Sequence, residues 1–176
     1  ILFVVMLSTL MLPFQATMVP LYILFRNLNL IGNPGLACYA PILIPPFFGS
    51  AFFIFLLRQF LLGIPDDLSD AARCDGAGEL AILLRVILPL SRPAITTVAL
   101  LTFMWTWNDF MWPLIVINDE ARYTLCLGLQ QYSTAHGYAW GYLCAASTII
   151  VAPVVLLFLL TQRTFIEGIA LTGIKG

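Results

Sequence analysis

GYAWGYLCAASTIIVAPVVLLFLLTQ, residues 137–162, runs for 26 residues without an Asp, Glu, Lys or Arg. A helix needs roughly 20 predominantly apolar residues to cross a hydrocarbon core. A membrane-crossing strand would instead alternate polar and apolar side chains, which VAPVVLLFLL (151–160) does not do. The stretch therefore reads as a membrane-spanning helix, and three more windows read the same way. They are residues 1–25, residues 27–57 (most apolar from Leu36), and residues 93–108 continuing past one acid to 118. The expectation is an all-α, polytopic helix bundle with four spans, forming one domain over 1–176.

Composition agrees. Of the residues, 61% are hydrophobic and 10% charged, with a mean hydropathy of +0.97, against about a quarter charged in soluble domains. The chain opens on Ile1 inside an apolar run, with no initiator Met and no basic flank, so it is expected to be an N-terminally truncated fragment rather than to begin with a signal peptide. A net charge of −1 without a basic run argues against nucleic acid as a partner. Cys38, Cys74, Cys126 and Cys144 lack CxxC spacing, so packing is favoured over metal or redox chemistry. No paired carboxylates, HExxH or Ser/His arrangement points to an enzyme. The nearest approach to a phosphate-binding loop, Gly168 to Gly173, has Ile174 where a lysine is needed. The chain is expected to bind no metal or cofactor and to hydrolyse no ATP by itself.

Basic residues gather on the cytoplasmic side of membrane proteins. With four spans, Arg58, Arg73, Arg85, Arg92, Arg163 and Lys175 fall on one side, and only Arg26 and Arg122 on the other. That count places the loop at about 58–92 and the C-terminus in the cytoplasm, and residues 26–35 and 119–136 outside. Pro13, Pro20, Pro41, Pro45, Pro46, Pro113 and Pro153 lie in or beside spans. They fit either ordinary kinks or helices broken around a lined pathway.

The cytoplasmic loop holds DDLSDAARCDGAGELAILLRVILPLSR, residues 66–92, with eight of the chain's seventeen charged residues. Pro65 suits a first helical turn, and Asp66 and Asp67 place negative charge at the positive end of the helix dipole. Gly76 is suited to the left-handed conformation that ends such a helix. A second helix is predicted from Glu79, carrying Leu80, Leu83, Leu84 and Ile87, until Pro89 stops it. Small residues at Ala71, Ala72, Gly76, Ala77 and Gly78 permit close approach to another surface, with Asp70, Arg73 and Asp75 placed to pair with charges on its rim. A docking knob and a solvated hairpin both fit these features.

The same segment resembles the EAA loop of ABC-importer permeases, whose pattern is roughly EAA, three residues, G, nine residues, then I-x-LP. Asp70-Ala71-Ala72 stands for EAA, Gly76 for the turn glycine, and Val86-Ile87-Leu88-Pro89 for the closing element. Asp70 departs from the usual Glu, and the hydrophobic element is altered in detail. WNDFMWPLIV (107–116) and QRTFIEGIALTGIKG (162–176) resemble the carbohydrate-uptake, maltose-type branch, although Thr172-Gly173 stands where relatives tend to have Gly-Ala. The resemblance covers essentially the whole chain and implies a type I ABC-importer permease in a bacterial or archaeal plasma membrane, with about four of a probable six spans present. It implies a dimer of ATP-binding subunits carrying ATP and Mg, a second permease subunit, an extracytoplasmic solute-binding protein and lipid as partners, and sugars or related polyols as cargo. Asp70, Ala71, Ala72, Asp75, Gly76, Ala77 and Pro89 then become the expected coupling residues.

Asp109 is the only acid within a predicted span. Sixteen residues from Pro93, it sits roughly 24 Å along a core about 30 Å thick. That is near the outer boundary, beside Trp105, Trp107 and Trp112, where an aromatic belt belongs. It reads either as an interfacial anchor or inter-helix bond, or as part of an outer gate or sugar path with Asn108. Gln130, Gln131, Tyr132 and Trp140, in an external stretch apolar enough to dip back into the bundle, suit either sugar contact or packing. His136 has no metal-spaced partner and reads as a loop residue. A secondary transporter for a small polar solute is the competing function, and it would need ionisable groups at the midplane.

Overall fold

The computed structural model describes residues 1–32, 35–134 and 140–172, with side-chain surroundings for 1–32, 35–130 and 140–162. All regular structure among the described residues is helical. Leu36–Leu61 and Trp140–Gln162 are each long and apolar enough to cross a membrane. Two bent pairs bring the number to four if each counts as one span: Leu2–Met11 with Phe14–Asn27, bent by 98°, and Glu79–Leu90 with Arg92–Trp107, bent by 70°.

The first bend interrupts the apolar window 1–25 at Pro13. Leu12 is extended (φ −76°, ψ 118°), and so is Pro13 (φ −66°, ψ 143°). A proline disfavours helical geometry in the residue before it, so Pro13 converts an apolar run into a sharp corner. The third predicted span is also interrupted. Its helix Arg92–Trp107 ends before Asn108, and a short helix Met111–Val116 follows. Pro113 lies in the first turn of that short helix, where its missing N–H has no intrahelical acceptor to leave vacant.

The chain divides into two compact units, residues 1–51 with 104–157, and residues 52–103 with the chain from 158 onward. The first unit is built around Phe25, Trp112, Val116 and Ile117, with Met18, Leu21, Tyr22, Tyr39 and Ile42 packed against them. Met18, Leu21, Tyr22 and Phe25 recur at helical spacing, so the helix Phe14–Asn27 turns one face to this core. The helix ends in a Schellman arrangement: Asn29 is left-handed at φ +56°, its N–H donates to the Arg26 carbonyl (3.0 Å), and the Leu30 N–H donates to the Phe25 carbonyl (3.0 Å).

Trp112 does two things in that core. Its ring meets Phe14 edge to face, with centroids 6.1 Å apart, and its indole Nε1–H donates to the Pro41 carbonyl at 2.9 Å. In the helix Ala40–Phe47 that carbonyl would ordinarily accept from residue 45, which is Pro45 and has no N–H. The tryptophan therefore supplies the donor that the proline removes. Gly49, at φ +78°, then closes this helix in the left-handed conformation, its N–H on the Pro46 carbonyl at 3.1 Å.

A second tie joins residues 35–39 to residues 119–123. The Arg122 guanidinium donates to the Gly35 carbonyl, lies 3.7 Å from Cys38 Sγ and pairs with Asp119 at 3.0 Å, while the Tyr39 hydroxyl donates to the Arg122 carbonyl at 3.0 Å. Arg122→Gln keeps a long polar side chain but cannot serve these acceptors together. The expected result is a fall of a few degrees in the melting midpoint of the detergent-solubilised chain, against no change for a substitution at exposed Glu120.

Candidate functional site

The second unit contains the charged loop. A helix spans Asp67–Cys74, with Asp66 at its N-cap position but making no side-chain capping bond, Asp67 and Asp70 in its first turn and Arg73 in its last, the charge order that complements a helix dipole. It ends in a complete Schellman motif. Gly76 is left-handed (φ +80°), its N–H donates to the Arg73 carbonyl (3.0 Å), and the Ala77 N–H donates to the Ala72 carbonyl (3.0 Å). A β-carbon at Gly76 would meet nothing within 4 Å, so the constraint on that position is conformational and not steric. Gly78, extended, opens the second helix at Glu79. The expected helix, glycine elbow and helix are all present.

Two details differ from the sequence reading. Pro89 does not stop the second helix, which continues to Leu90. Residues Leu83–Ile87 form a π-helical stretch, and Pro89 falls at the start of the short α-turn Leu88–Leu90, where no helical N–H is required of it. The chain turns only after Ser91, whose buried hydroxyl donates to the Ile87 carbonyl at 2.7 Å.

The other detail is that Arg73 bonds to two acids of its own chain. Its Nε and Nη2 donate to Glu79 Oε1 and Oε2 at 2.8 and 3.2 Å, and its Nη1 donates to Asp70 Oδ1 at 2.7 Å. Nothing in the sequence reading paired Arg73 with Glu79, although one sits in the last turn before the elbow and the other in the first turn after it. The Arg73 hydrogen bonds and charge hold the Glu79 carboxyl below the usual glutamate range. With the folded value depressed, the pair's contribution is present above the unfolded value and lost as pH falls through the folded one. Asp70, Ala71, Asp75 and Gly76 are exposed, with Ala72 and Ala77 half-buried beside them. The elbow thus presents a small-residue tip flanked by acids.

The second group of candidates lies in the first unit. Asp109 sits in the break before the helix Met111–Val116, and its Oδ1 accepts a long bond from the Trp112 N–H (3.4 Å). This is a local cap on a helix start. Asp109 also lines an open groove of about 340 Å³ with Phe14, Leu21, Pro45, Trp105 and Trp112 among its walls. Asn108 does not join that lining, since its amide donates to the Met104 carbonyl at 2.7 Å on its own helix. Gln130 is exposed on the helix Leu125–Thr134, and the surroundings of Gln131 and Tyr132 and all of His136 lie outside the described residues. The side chains of the motif 162–176 beyond Gln162 lie outside them as well.

The tryptophans of the 107–116 motif act as ties. Besides Trp112, Trp107 donates from Nε1 to the Ile150 carbonyl at 3.1 Å. Its own carbonyl, the last of its helix, accepts from the Cys126 thiol at 3.0 Å.

Residues 1–169 match the family described as the binding-protein-dependent transport system inner membrane component. The chain belongs to this family. The chain is 37% identical over 174 residues to the arabinooligosaccharides transport system permease protein AraQ of Halalkalibacterium halodurans, covering 99% of this chain and 60% of that protein. It is 36% identical over 176 residues to AraQ of Bacillus subtilis, with 100% and 60% covered. It is 33% identical over 163 residues to the sn-glycerol-3-phosphate transport system permease protein UgpE of Yersinia pestis, with 92% and 56% covered. Among solved structures it resembles a chain of a bacterial ABC transporter involved in import of the acidic polysaccharide alginate. The TM-score is 0.75 at 26% identity, with 93% of this chain and 61% of that one covered. The fold is therefore that of an ABC-importer permease, and the chain spans about three fifths of the length of the curated relatives it matches.

Proposed function

We propose that this chain is a transmembrane permease subunit of an ATP-driven importer for sugars or related polyols. Its elbow at 66–79 docks on an ATP-binding subunit and passes the closure of an ATPase dimer to the membrane helices. The observation that carries this reading is the elbow itself: a helix, a left-handed Gly76 turn and a second helix, with exposed Asp70, Ala71 and Gly76 at the tip. A docked elbow shifts a two-state equilibrium only by the difference in its contacts with each state. The proposal assigns those differential contacts to Asp70, Ala71, Ala72, Asp75, Gly76 and Ala77, with Pro89 in the helix that leads away from them.

ATP and Mg belong on the partner, which supplies hydrolysis. A second permease subunit and an extracytoplasmic solute-binding protein complete the complex, and the C-terminus faces the cytoplasm of a bacterial plasma membrane. The relatives named for arabino-oligosaccharides and sn-glycerol 3-phosphate suggest the first solutes to test. Asp109, with its groove, is the candidate for an outer gate or solute path, whereas Asn108, Gln130 and Tyr132 are carried only by the sequence reading.

The test is uptake of labelled arabinotriose and of sn-glycerol 3-phosphate by proteoliposomes holding the full importer. Uptake of one of them that needs internal ATP and survives collapse of the proton and sodium gradients is the expected result. Uptake that stops with the gradient while ATP is preserved points to a secondary transporter instead.

A further inference from the structure

The elbow contains a built-in weakness that the proposed lever has to overcome. Two glycines, Gly76 and Gly78, flank Ala77 in the turn, and neither has a β-carbon to restrict it. The Schellman bonds fasten Gly76 and Ala77 to the first helix, but they end at Ala77. Gly78 begins the second helix, its carbonyl accepting from the Ile82 N–H. A thrust delivered to the tip can therefore be absorbed by rotation about Ala77 and Gly78 before it reaches the helix Glu79–Leu90.

Arg73 spans that joint. It reaches forward six residues to hold both oxygens of Glu79 with Nε and Nη2, and back three residues to hold Asp70 with Nη1. The two-pronged contact fixes the plane of the guanidinium against the Glu79 carboxylate, a geometry that a single ammonium cannot reproduce. All three groups are well exposed, with side chains 49%, 66% and 75% accessible for Arg73, Asp70 and Glu79. Such a link adds little to overall stability; what it fixes is the placement of the two helix ends that it joins.

We infer that Arg73 is a positioning residue that locks the two helices of the elbow into one body, so that movement imposed at the tip is delivered to the helix Glu79–Leu90. This rests on the reading of the chain as an ATP-driven permease and deepens it. The lock acts through Glu79 and does not require Arg73 to touch the partner.

The experiment compares wild type, Arg73→Gln, Glu79→Gln, the double variant and Arg73→Lys. Each is assembled as the full importer in proteoliposomes, with whichever of arabinotriose and sn-glycerol 3-phosphate the unaltered importer takes up. Solute moved per ATP hydrolysed is measured beside recovery of the ATP-binding subunit with the permease. The lock predicts that either single substitution lowers solute per ATP by about threefold, a scale fitting an exposed ion pair. The double variant is no worse than either single one, Arg73→Lys recovers part of the loss, and recovery of the ATP-binding subunit is unchanged throughout. Additive losses, or a loss in Arg73→Gln with none in Glu79→Gln, overturn the inference, because Arg73 then acts by direct contact with the partner. Unchanged solute per ATP in all variants also overturns it while leaving the permease reading intact. A wild-type chain that recovers no ATP-binding subunit overturns the permease reading itself.

Discussion

Replacing Gly76 with valine is expected to abolish uptake while leaving the permease in the membrane. At φ +80° only glycine, and to a lesser degree asparagine, sits without penalty. A residue other than glycine in the left-handed region costs roughly 1–2 kcal/mol, and a β-branched one is the worst case. Nothing lies within 4 Å of a β-carbon there, so the variant suffers no collision and the conformational penalty acts alone. If the free elbow relaxes, the Ala77-to-Ala72 and Gly76-to-Arg73 bonds are lost and the tip changes shape, and docking, which has to restore the turn, weakens by about 5- to 30-fold. The effect should follow the order glycine, asparagine, valine in both uptake and recovery of the ATP-binding subunit. Equal behaviour of the asparagine and valine variants would show that the left-handed turn is not what the partner reads.

Trp112→Ala should produce the largest loss of stability of any single change in the first unit. Truncating a fully packed tryptophan costs about 3–5 kcal/mol, and Trp112 is only 5% exposed in the cluster with Phe25, Val116 and Ile117. The loss is compounded because the Pro41 carbonyl, already denied a donor by Pro45, is left without one. Trp112→Phe separates the two contributions. It keeps an aromatic ring for Phe14 to meet but removes the Nε1–H, at a cost of about 1–3 kcal/mol for a stranded buried acceptor. Melting of the detergent-solubilised chain, read by accessibility of its buried Cys38, should rank wild type above phenylalanine above alanine.

What the sequence made legible was local. Asp66 and Asp67 announced a helix start, Gly76 its left-handed end and Glu79 the next start, because each signal is satisfied within one turn of backbone. Pro13 was visible as a breaker, but the 98° corner depends on Leu12 leaving the helical region, which no apolar count reveals. Pro89 misled for the opposite reason: the π-helical stretch before it let a new turn begin, so the expected stop became a continuation. The bond from Trp112 to the Pro41 carbonyl joins residues 71 apart, and that from Tyr39 to Arg122 joins residues 83 apart. Neither has a periodic trace in the sequence. A missing N–H at Pro45 does announce that a carbonyl four residues earlier needs a donor, but nothing in the sequence says that Trp112 supplies it.

Of the candidate site residues, the elbow group has a backbone form that is legible in the sequence because its signals are contiguous. The Arg73 to Glu79 link was missed because it depends on how the turn aims two side chains. Asp109 stands out in the sequence as a carboxylate in an apolar run, and its place in a helix break beside the Trp112 N–H gives it a local cap.

If the elbow at 66–79 is the surface an ATP-binding subunit grips, Cys74 lies within reach of that subunit. It is exposed at the end of the first elbow helix. Attaching a photoreactive benzophenone to Cys74 in the assembled importer and irradiating it should give an adduct between this chain and the ATP-binding subunit, absent in Cys74→Ser. An active importer that yields adducts only to lipid or to other subunits would contradict the account.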